Sequence, residues 1–325
     1  MYRAGAHVIE LAVDDPAAVA FLDSFLERAN PTEAGERRCL ATISVADEPL
    51  GESAAPVEIH GTVGFAKTRT GFEVGRASAN VPADFGEVLA VLRKLVRLVW
   101  LSHEAPDGGY FYLHASAVDD GQDVYIFSGD KRGGKTTLML DAVAHHGFSL
   151  VTNDGLLFSG AGDSLVMSPL PTLAKVRADV AHRFMPFLLA RADDTFNAAQ
   201  LDQWRRSGHK HWTDTPLYLT FGALGQRFSS IPVSERRVHL VGVRFADPEA
   251  PVSLTRLEGR DALDVLLANR KELVPSFADV MDFAAEQAGA ESRLVREIAS
   301  RLHVVRFRHE GEVKPALYSG SRRAS

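Results

Sequence analysis

Cysteine is almost missing from this chain: Cys39 is the only one in 325 residues. One thiol excludes an intrachain disulfide and any cysteine-rich zinc centre. A reducing, cytoplasmic setting is the expectation. A basic surplus is also missing. The 42 acidic residues outnumber the 36 lysines and arginines, leaving a net charge of -6. That argues against the wide basic face of a nucleic-acid binder. Long apolar runs are lacking too. The longest, Val88–Leu101, is too short to span a bilayer and carries Arg93, Lys94 and Arg97. The first residues, MYRAGAHVIELAVDDPAAV, place acids where a secretory leader needs an apolar centre. Neither a membrane nor a nucleic acid is an expected partner. Internal repeats and low-complexity tracts are absent.

What is present is ample core material, 46% of the residues being hydrophobic. The length suits one large domain or two ordinary ones. Apolar runs at Ala6–Val13, Arg38–Val45 and Val57–Val63 read as strands, with loops at Asn30–Arg37 and Asp47–Pro56. Apolar residues at helical spacing predict a helix over Asp84–Leu101. Pro106, Asp107, Gly108 and Gly109 end it. Tyr110–Val118 then reads as one strand, Val124–Phe127 as a second, Lys135–His146 as a helix stopped by Gly147, and Phe148–Thr152 as a third strand. Strand, loop, helix and strand in this order favour an α/β or α+β fold. Further on, Thr172–Arg191 and Glu286–Leu302 read as helical and Gly259–Ala268 as a helix. Val238–Phe245 and Val304–Arg308 read as strands. The expected organisation is a β-rich region over 1–105, a nucleotide-binding domain over 106–315 and a flexible tail over 316–325.

The most informative stretch is Gly129-Asp130-Lys131-Arg132-Gly133-Gly134-Lys135-Thr136, followed by Thr137. It fits G-x-x-x-x-G-K-[ST] at every fixed position, between an apolar strand and an apolar-periodic helix. Glycines let successive backbone N–H groups converge on an anion, and the helix start adds positive potential. Lys135 would neutralise the β- and γ-phosphates, and Thr136 would offer its hydroxyl to magnesium. The bland alternative is a chance match in a glycine-rich loop. Lys131 and Arg132 read either as a solvated tip or as extra charge near the phosphates or near an anionic second substrate. Asp154, just after a strand, is placed for a metal or an attacking hydroxyl, or else completes an Asn153-Asp154-Gly155 turn. His114, inside an apolar strand, is by itself more often a satisfied core group.

Other polar groups have bland readings. Lys175, Arg177, His182 and Arg183 read as the solvated face of a helix, or as anion contacts in a second-substrate site. The stretch Trp204–Trp212, aromatic and basic by turns, reads as a substrate-facing loop or lid. His145-His146 and His209-x-His211 lack a carboxylate and histidine set at metal-ligand spacing.

Together, His114, the glycine-rich loop and Asp154 resemble the HPr kinase/phosphorylase family, whose core is shared with phosphoenolpyruvate carboxykinase. The resembling stretch runs from Leu113 to Phe158, 46 of 325 residues. In that family a histidine sits in a strand upstream of the loop, where His114 stands. Gly134, Lys135 and Thr136 match the loop's Gly-Lys-Ser/Thr ending. A pair of aspartates follows the next strand, and Asn153 and Asp154 fall there, one residue later than the family spacing. The resemblance implies ATP or another nucleoside triphosphate as donor, magnesium held by Thr136 and Asp154, and a hydroxyl acceptor on a peptide or a small metabolite. It implies His114, Lys135 and Asp154 as catalytic residues, and a bacterial biosynthetic setting. The family forms hexamers, so a homo-oligomer is implied. Two departures stand out. Asn153 replaces one acid, and an amide does not accept a proton as a base. The downstream signature for HPr recognition is missing, so the acceptor implied is not HPr. The competing readings are a nucleotide-binding regulator without phosphotransfer and a carboxykinase-like metabolic enzyme.

Overall fold

The computed structural model describes residues 1–4, 7–13, 15–23, 26–30, 39–50, 58–78, 80, 83–104, 110–160, 162–170, 174–191, 206, 217–219, 224, 230–271, 287–312 and 317. The chain divides into two compact units, Met1–Gly109 with Glu272–Ala290, and Tyr110–Lys271 with Glu291–Ser325. The architecture is mixed α/β, with two six-stranded sheets of mixed direction.

The first unit contains β1 (Tyr2–Ala4), β2 (His7–Ala12), α1 (Pro16–Asp23), β3 (Cys39–Pro49), β4 (Glu58–His60), β5 (Val63–Lys67), β6 (Gly71–Arg76) and α2 (Phe85–Glu104). Its sheet runs β1-β2-β3-β6-β5-β4. Asp15 starts α1 by accepting the N–H groups of Ala17 and Ala18 through Oδ1, at 2.7 and 3.2 Å. Val91, Leu92, Leu95, Val96, Val99 and Trp100 bury the inner stripe of α2. The expected loop over Asp47–Pro56 needs correction at its start. The strand β3 continues through Pro49, opposite Arg76, because β6 supplies ladder partners along it. Among the described residues no helix is long and apolar enough to cross a membrane.

The second unit contains β7 (Tyr110–Leu113), β8 (Ala115–Asp119), β9 (Asp123–Ser128), α3 (Lys135–His146), β10 (Ser149–Thr152), β11 (Leu156–Ser159) and β12 (Val166–Pro169). Then come β13 (Ala174–Val176), α4 (Ala178–Ala181), α5 (Met185–Leu189), β14 (Leu217–Leu219), β15 (Ile231–Pro232) and β16 (Arg237–Phe245). β17 (Ser253–Arg256), α6 (Gly259–Ala268), α7 (Gln287–Arg301, of which Glu291 onward belongs to this unit) and β18 (His303–His309) complete it. The main sheet runs β10-β8-β9-β16-β18-β17, and a second one runs β15-β12-β11-β7. The apolar core between them joins Phe111, Leu113, Ile126, Phe158, Leu266 and Ile298.

Two expectations change here. Tyr110–Val118 is two strands, broken at His114, with β7 in the second sheet and β8 in the main one. The His114 N–H is taken by the Asn269 carbonyl at 2.9 Å, so the ladder is interrupted and the chain changes sheets. Thr172–Arg191 is not one helix. Ala174–Val176 pairs with β14, and only then do short helical turns follow. Leu217 and Leu219 bury Ala174 and Val176 in that pairing, which a local helical pattern does not foresee. Trp204–Trp212 lies outside the described residues apart from Arg206, and so does the tail over 318–325.

Strand direction gathers the candidate site at one edge. β9, β16 and β18 are parallel, so their carboxyl ends coincide. β8 runs against β9, and β10 runs against β8, so β10 points the same way as β9. The end of β10, the end of β9 and the start of β8 therefore share an edge. That edge carries Asp154, Gly129 and His114.

Candidate functional site

The loop between β9 and α3 wraps around the amino end of the helix. Gly134, the residue before α3, adopts φ 98°, in the left-handed region. A Cβ there would meet the His309 ring at 2.2 Å. A Cβ on Gly129 would lie 2.4 Å from the Val243 carbonyl oxygen. Both fixed glycines are thus demanded by neighbouring strands as well as by the loop's own turn. Arg132 is the only described non-glycine residue with positive φ, at 69°. It is exposed, as are Asp130 and Lys131.

Lys135 is buried at the first turn of α3. Its Nζ donates to the carbonyls of Gly129 at 2.6 Å and Asp130 at 3.1 Å, folding back along the loop. Burial pulls its pKa below the usual lysine value. The charges of Asp154 and Asp130 oppose that shift, and Lys271 adds to it. Thr136 Oγ1 donates to Asn153 Oδ1 at 3.4 Å, and the buried Ser116 hydroxyl donates to the Asn153 carbonyl at 2.8 Å. Thr137 is buried one residue on.

A cavity of about 210 Å³ opens in front of this turn, lined by residues 132–137 together with Lys175, Arg177, Arg183 and Phe245. Three residues of the basic stretch expected on a helix face therefore line the loop's cavity. Lys175 and Arg177 get there by belonging to the β13 end of that stretch, which is not helical. Arg177 pairs with Asp179 at 3.2 Å, and Arg183 donates to the Glu310 carbonyl at 3.0 Å.

His114 and Asp154 meet beside the loop. His114 Nδ1 lies 3.0 Å from the Asp154 carbonyl oxygen and 3.2 Å from its Oδ1. Both partners are acceptors, so Nδ1 carries the proton. In the neutral ring Nε2 is then the lone pair able to take another. The other Asp154 oxygen is 3.4 Å from Lys271 Nζ. Lys271 also donates its N–H to the Tyr112 carbonyl at 2.8 Å, and its ammonium lies 5.5 Å from the Tyr112 ring centroid. His114, Asp154 and Lys271 are all about one-third exposed, open to a ligand.

Two of these supports are invisible to local sequence reading. Lys271 follows α6 as part of an ordinary polar Asn-Arg-Lys exit. His309 ends the last strand and is fully buried. Gly311 N–H donates to His309 Nδ1 at 2.9 Å, so Nε2 must carry the proton that meets the Gly133 carbonyl at 2.9 Å. Burial lowers the His309 pKa, which keeps it in this neutral tautomer. His145 and His146 both contact Asp141, at 2.8 and 3.5 Å. No group of three or more histidine, cysteine or acidic residues suited to a metal ion occurs among the described residues.

No protein-family model matches this chain, and no curated protein matches it.

Proposed function

We propose that the second unit binds a nucleoside triphosphate, ATP in the first instance, and transfers its γ-phosphoryl group to a hydroxyl. The observation that carries this reading is the loop itself. Its lysine is folded onto the loop carbonyls at a helix start, and a His114–Asp154–Lys271 cluster stands beside it. A kinase core of the kind shared by HPr kinase and phosphoenolpyruvate carboxykinase is the proposed fold family, with histidine, loop and aspartate in the same chain order and Asn153 in place of one acid. The proposed setting is cytoplasmic.

The chemistry follows from the arrangement. Backbone N–H groups at the start of α3 and the Lys135 ammonium hold the phosphates, and catalysis here is positioning plus charge neutralisation. The acceptor oxygen attacks the γ-phosphorus. The bond from that phosphorus to the β–γ bridging oxygen breaks, and its electron pair leaves on the diphosphate. The hydroxyl proton passes to the His114–Asp154 pair, with Asp154 fixing the imidazole and His114 Nε2 offering the lone pair. Lys271, held on Asp154, steadies the carboxylate that orients the imidazole.

The residues suit magnesium in an all-oxygen setting. Thr136 Oγ1 and Asn153 Oδ1 are adjacent, and the Asp154 carboxylate follows in the chain, with the phosphates left to supply most of the charge. Magnesium, when bound with the nucleotide, would neutralise the β- and γ-phosphate oxygens.

The test is transfer from labelled ATP, with magnesium, to serine peptides and small hydroxylated metabolites, against Lys135→Ala. Label on an acceptor that disappears in the variant supports the kinase. A second reading, a nucleotide-binding regulator, draws on Asn153, whose neutral amide stands where the resembling family has an acid. Magnesium-dependent ATP binding without any labelled acceptor would favour it.

A further inference from the structure

A second cavity, of about 390 Å³, borders the start of the glycine-rich loop. Gly129 and Asp130 form one wall, and Arg244, Arg306 and Arg308 come from the carboxyl ends of β16 and β18. Asp264 and Asn269, from α6 and its exit, close it. Arg244 is 3.3 Å from Asp130, an exposed pair. Arg306 and Arg308 have no carboxylate partner within ion-pair distance among the described residues. Being two apart on a strand, they project from the same face of β18.

The cavity wall is tied directly to the reacting groups. The Asn269 carbonyl holds the His114 N–H, and Lys271, two residues on, reaches Asp154. Two residues of chain span at most about 7 Å. The phosphate cavity is lined by residues 132–137, and this one by the loop's opening residues, so each meets a different part of the same loop. In-line transfer needs the attacking oxygen opposite the leaving one, so the acceptor needs a site of its own apart from the phosphate cavity. Three arginines against the carboxylates of Asp130 and Asp264 leave the lining with a positive surplus of one.

Resting on the kinase reading above, we propose that this second cavity is the acceptor site, and that the acceptor is a small hydroxylated anion. Its carboxylate or phosphate ester sits on Arg306 and Arg308, and its hydroxyl points toward His114 and Asp154. Planar guanidinium groups bind either kind of anion through paired N–H donors. The volume suits a ligand of metabolite size and not a folded protein. Transfer forms the bond between the acceptor oxygen and the γ-phosphorus, breaks the β–γ bridge, and delivers the hydroxyl proton to the His114–Asp154 pair.

The full chain is tested with four probes: glycerol, glycerate, glycerol 3-phosphate and N-acetylserine amide. Binding of each to the ADP-loaded protein is measured by calorimetry, and labelling is measured with ATP. The expected result is binding and labelling of glycerate or glycerol 3-phosphate, over glycerol and the serine amide. Arg306→Gln and Arg308→Gln should each weaken that binding and raise KM by about tenfold to a hundredfold, with ATP affinity held. The lysine variants Arg306→Lys and Arg308→Lys should recover part of the loss, and a urea midpoint confirms that each variant is folded. Preference for glycerate over glycerol 3-phosphate, or the reverse, tells a carboxylate from a phosphate acceptor. Absence of binding by both anions overturns the proposal, and so does equal use of the neutral serine amide, which would point to a peptide. In either case ATP binding that depends on Lys135 leaves the kinase reading standing. Loss of ATP binding in the unaltered chain overturns that reading instead.

Discussion

The main sheet of the second unit carries a histidine–aspartate pair at each edge, and the two are built for different ends. At the amino edge Asp123 is buried. It accepts from Arg237 at 2.7 Å and His239 Nε2 at 2.8 Å. The His239 ring lies between Tyr125, stacked at 4.6 Å, and His303 at 5.3 Å. At the carboxyl edge Asp154 is about one-third exposed, and its contacts to His114 and Lys271 are longer, at 3.2 and 3.4 Å. A carboxylate that is buried and closely bonded holds strands together. One that is half-open and loosely held can exchange partners when a substrate arrives. The residue types are nearly the same at both edges. Burial and saturation separate a structural knot from a candidate reaction centre.

Five experiments test that contrast, taken from the largest effect expected. Lys135→Ala should lower phosphoryl transfer by about a thousandfold or more, since a positioned charge at the transferring group is lost. The urea midpoint should change little, and labelled-ATP transfer reads the rate. Asp154→Asn should cost about 100- to 10,000-fold in turnover with a smaller change in ATP affinity. Asp123→Asn should do the reverse, losing about 2 kcal/mol of stability while the folded fraction keeps its rate. Equal effects of these two substitutions on rate would erase the distinction between the edges.

Gly134→Ala should cost about 1–2 kcal/mol from its left-handed backbone alone, and more from the meeting with His309. Calorimetry with ADP should show weakened binding, and an unchanged affinity would mean that the loop does not hold the phosphates. The smallest effect is in pH. Burial depresses the pKa of His239, against the pull of Asp123, and likewise that of His309. Each is neutral when folded and takes a proton more readily when unfolded. Their contribution to stability is therefore complete above the ordinary histidine value of about 6.5 and is lost as pH falls from there toward the folded values. Urea unfolding between about pH 8 and pH 5 should show stability dropping below about 6.5, and His239→Asn should flatten part of that slope.

Much of the site was legible in the residues because its signals are local. The glycine spacing, Lys135 and the helical period after it depend on neighbours within one turn. α3 accordingly spans Lys135–His146 with Gly147 left-handed behind it, and α6 spans Gly259–Ala268. His114 was harder, since Tyr110–Val118 has the apolar continuity of one strand. The break that puts His114 at a corner comes from the carbonyl of Asn269, far along the chain. The strands β11 and β12 carry no alternation to mark them, because both of their faces are buried.

The sequence by itself determined that a glycine-rich loop joins a strand to a helix, and that an acid and a histidine flank it. Those facts rest on backbone freedom at glycine and on side-chain periods that neighbours alone can set. Only the tertiary structure decided who stands beside them. Lys271 meets Asp154 across 117 residues, and His309 braces Gly133 across 176. Contacts at such separations depend on strand order and direction, which no local pattern encodes.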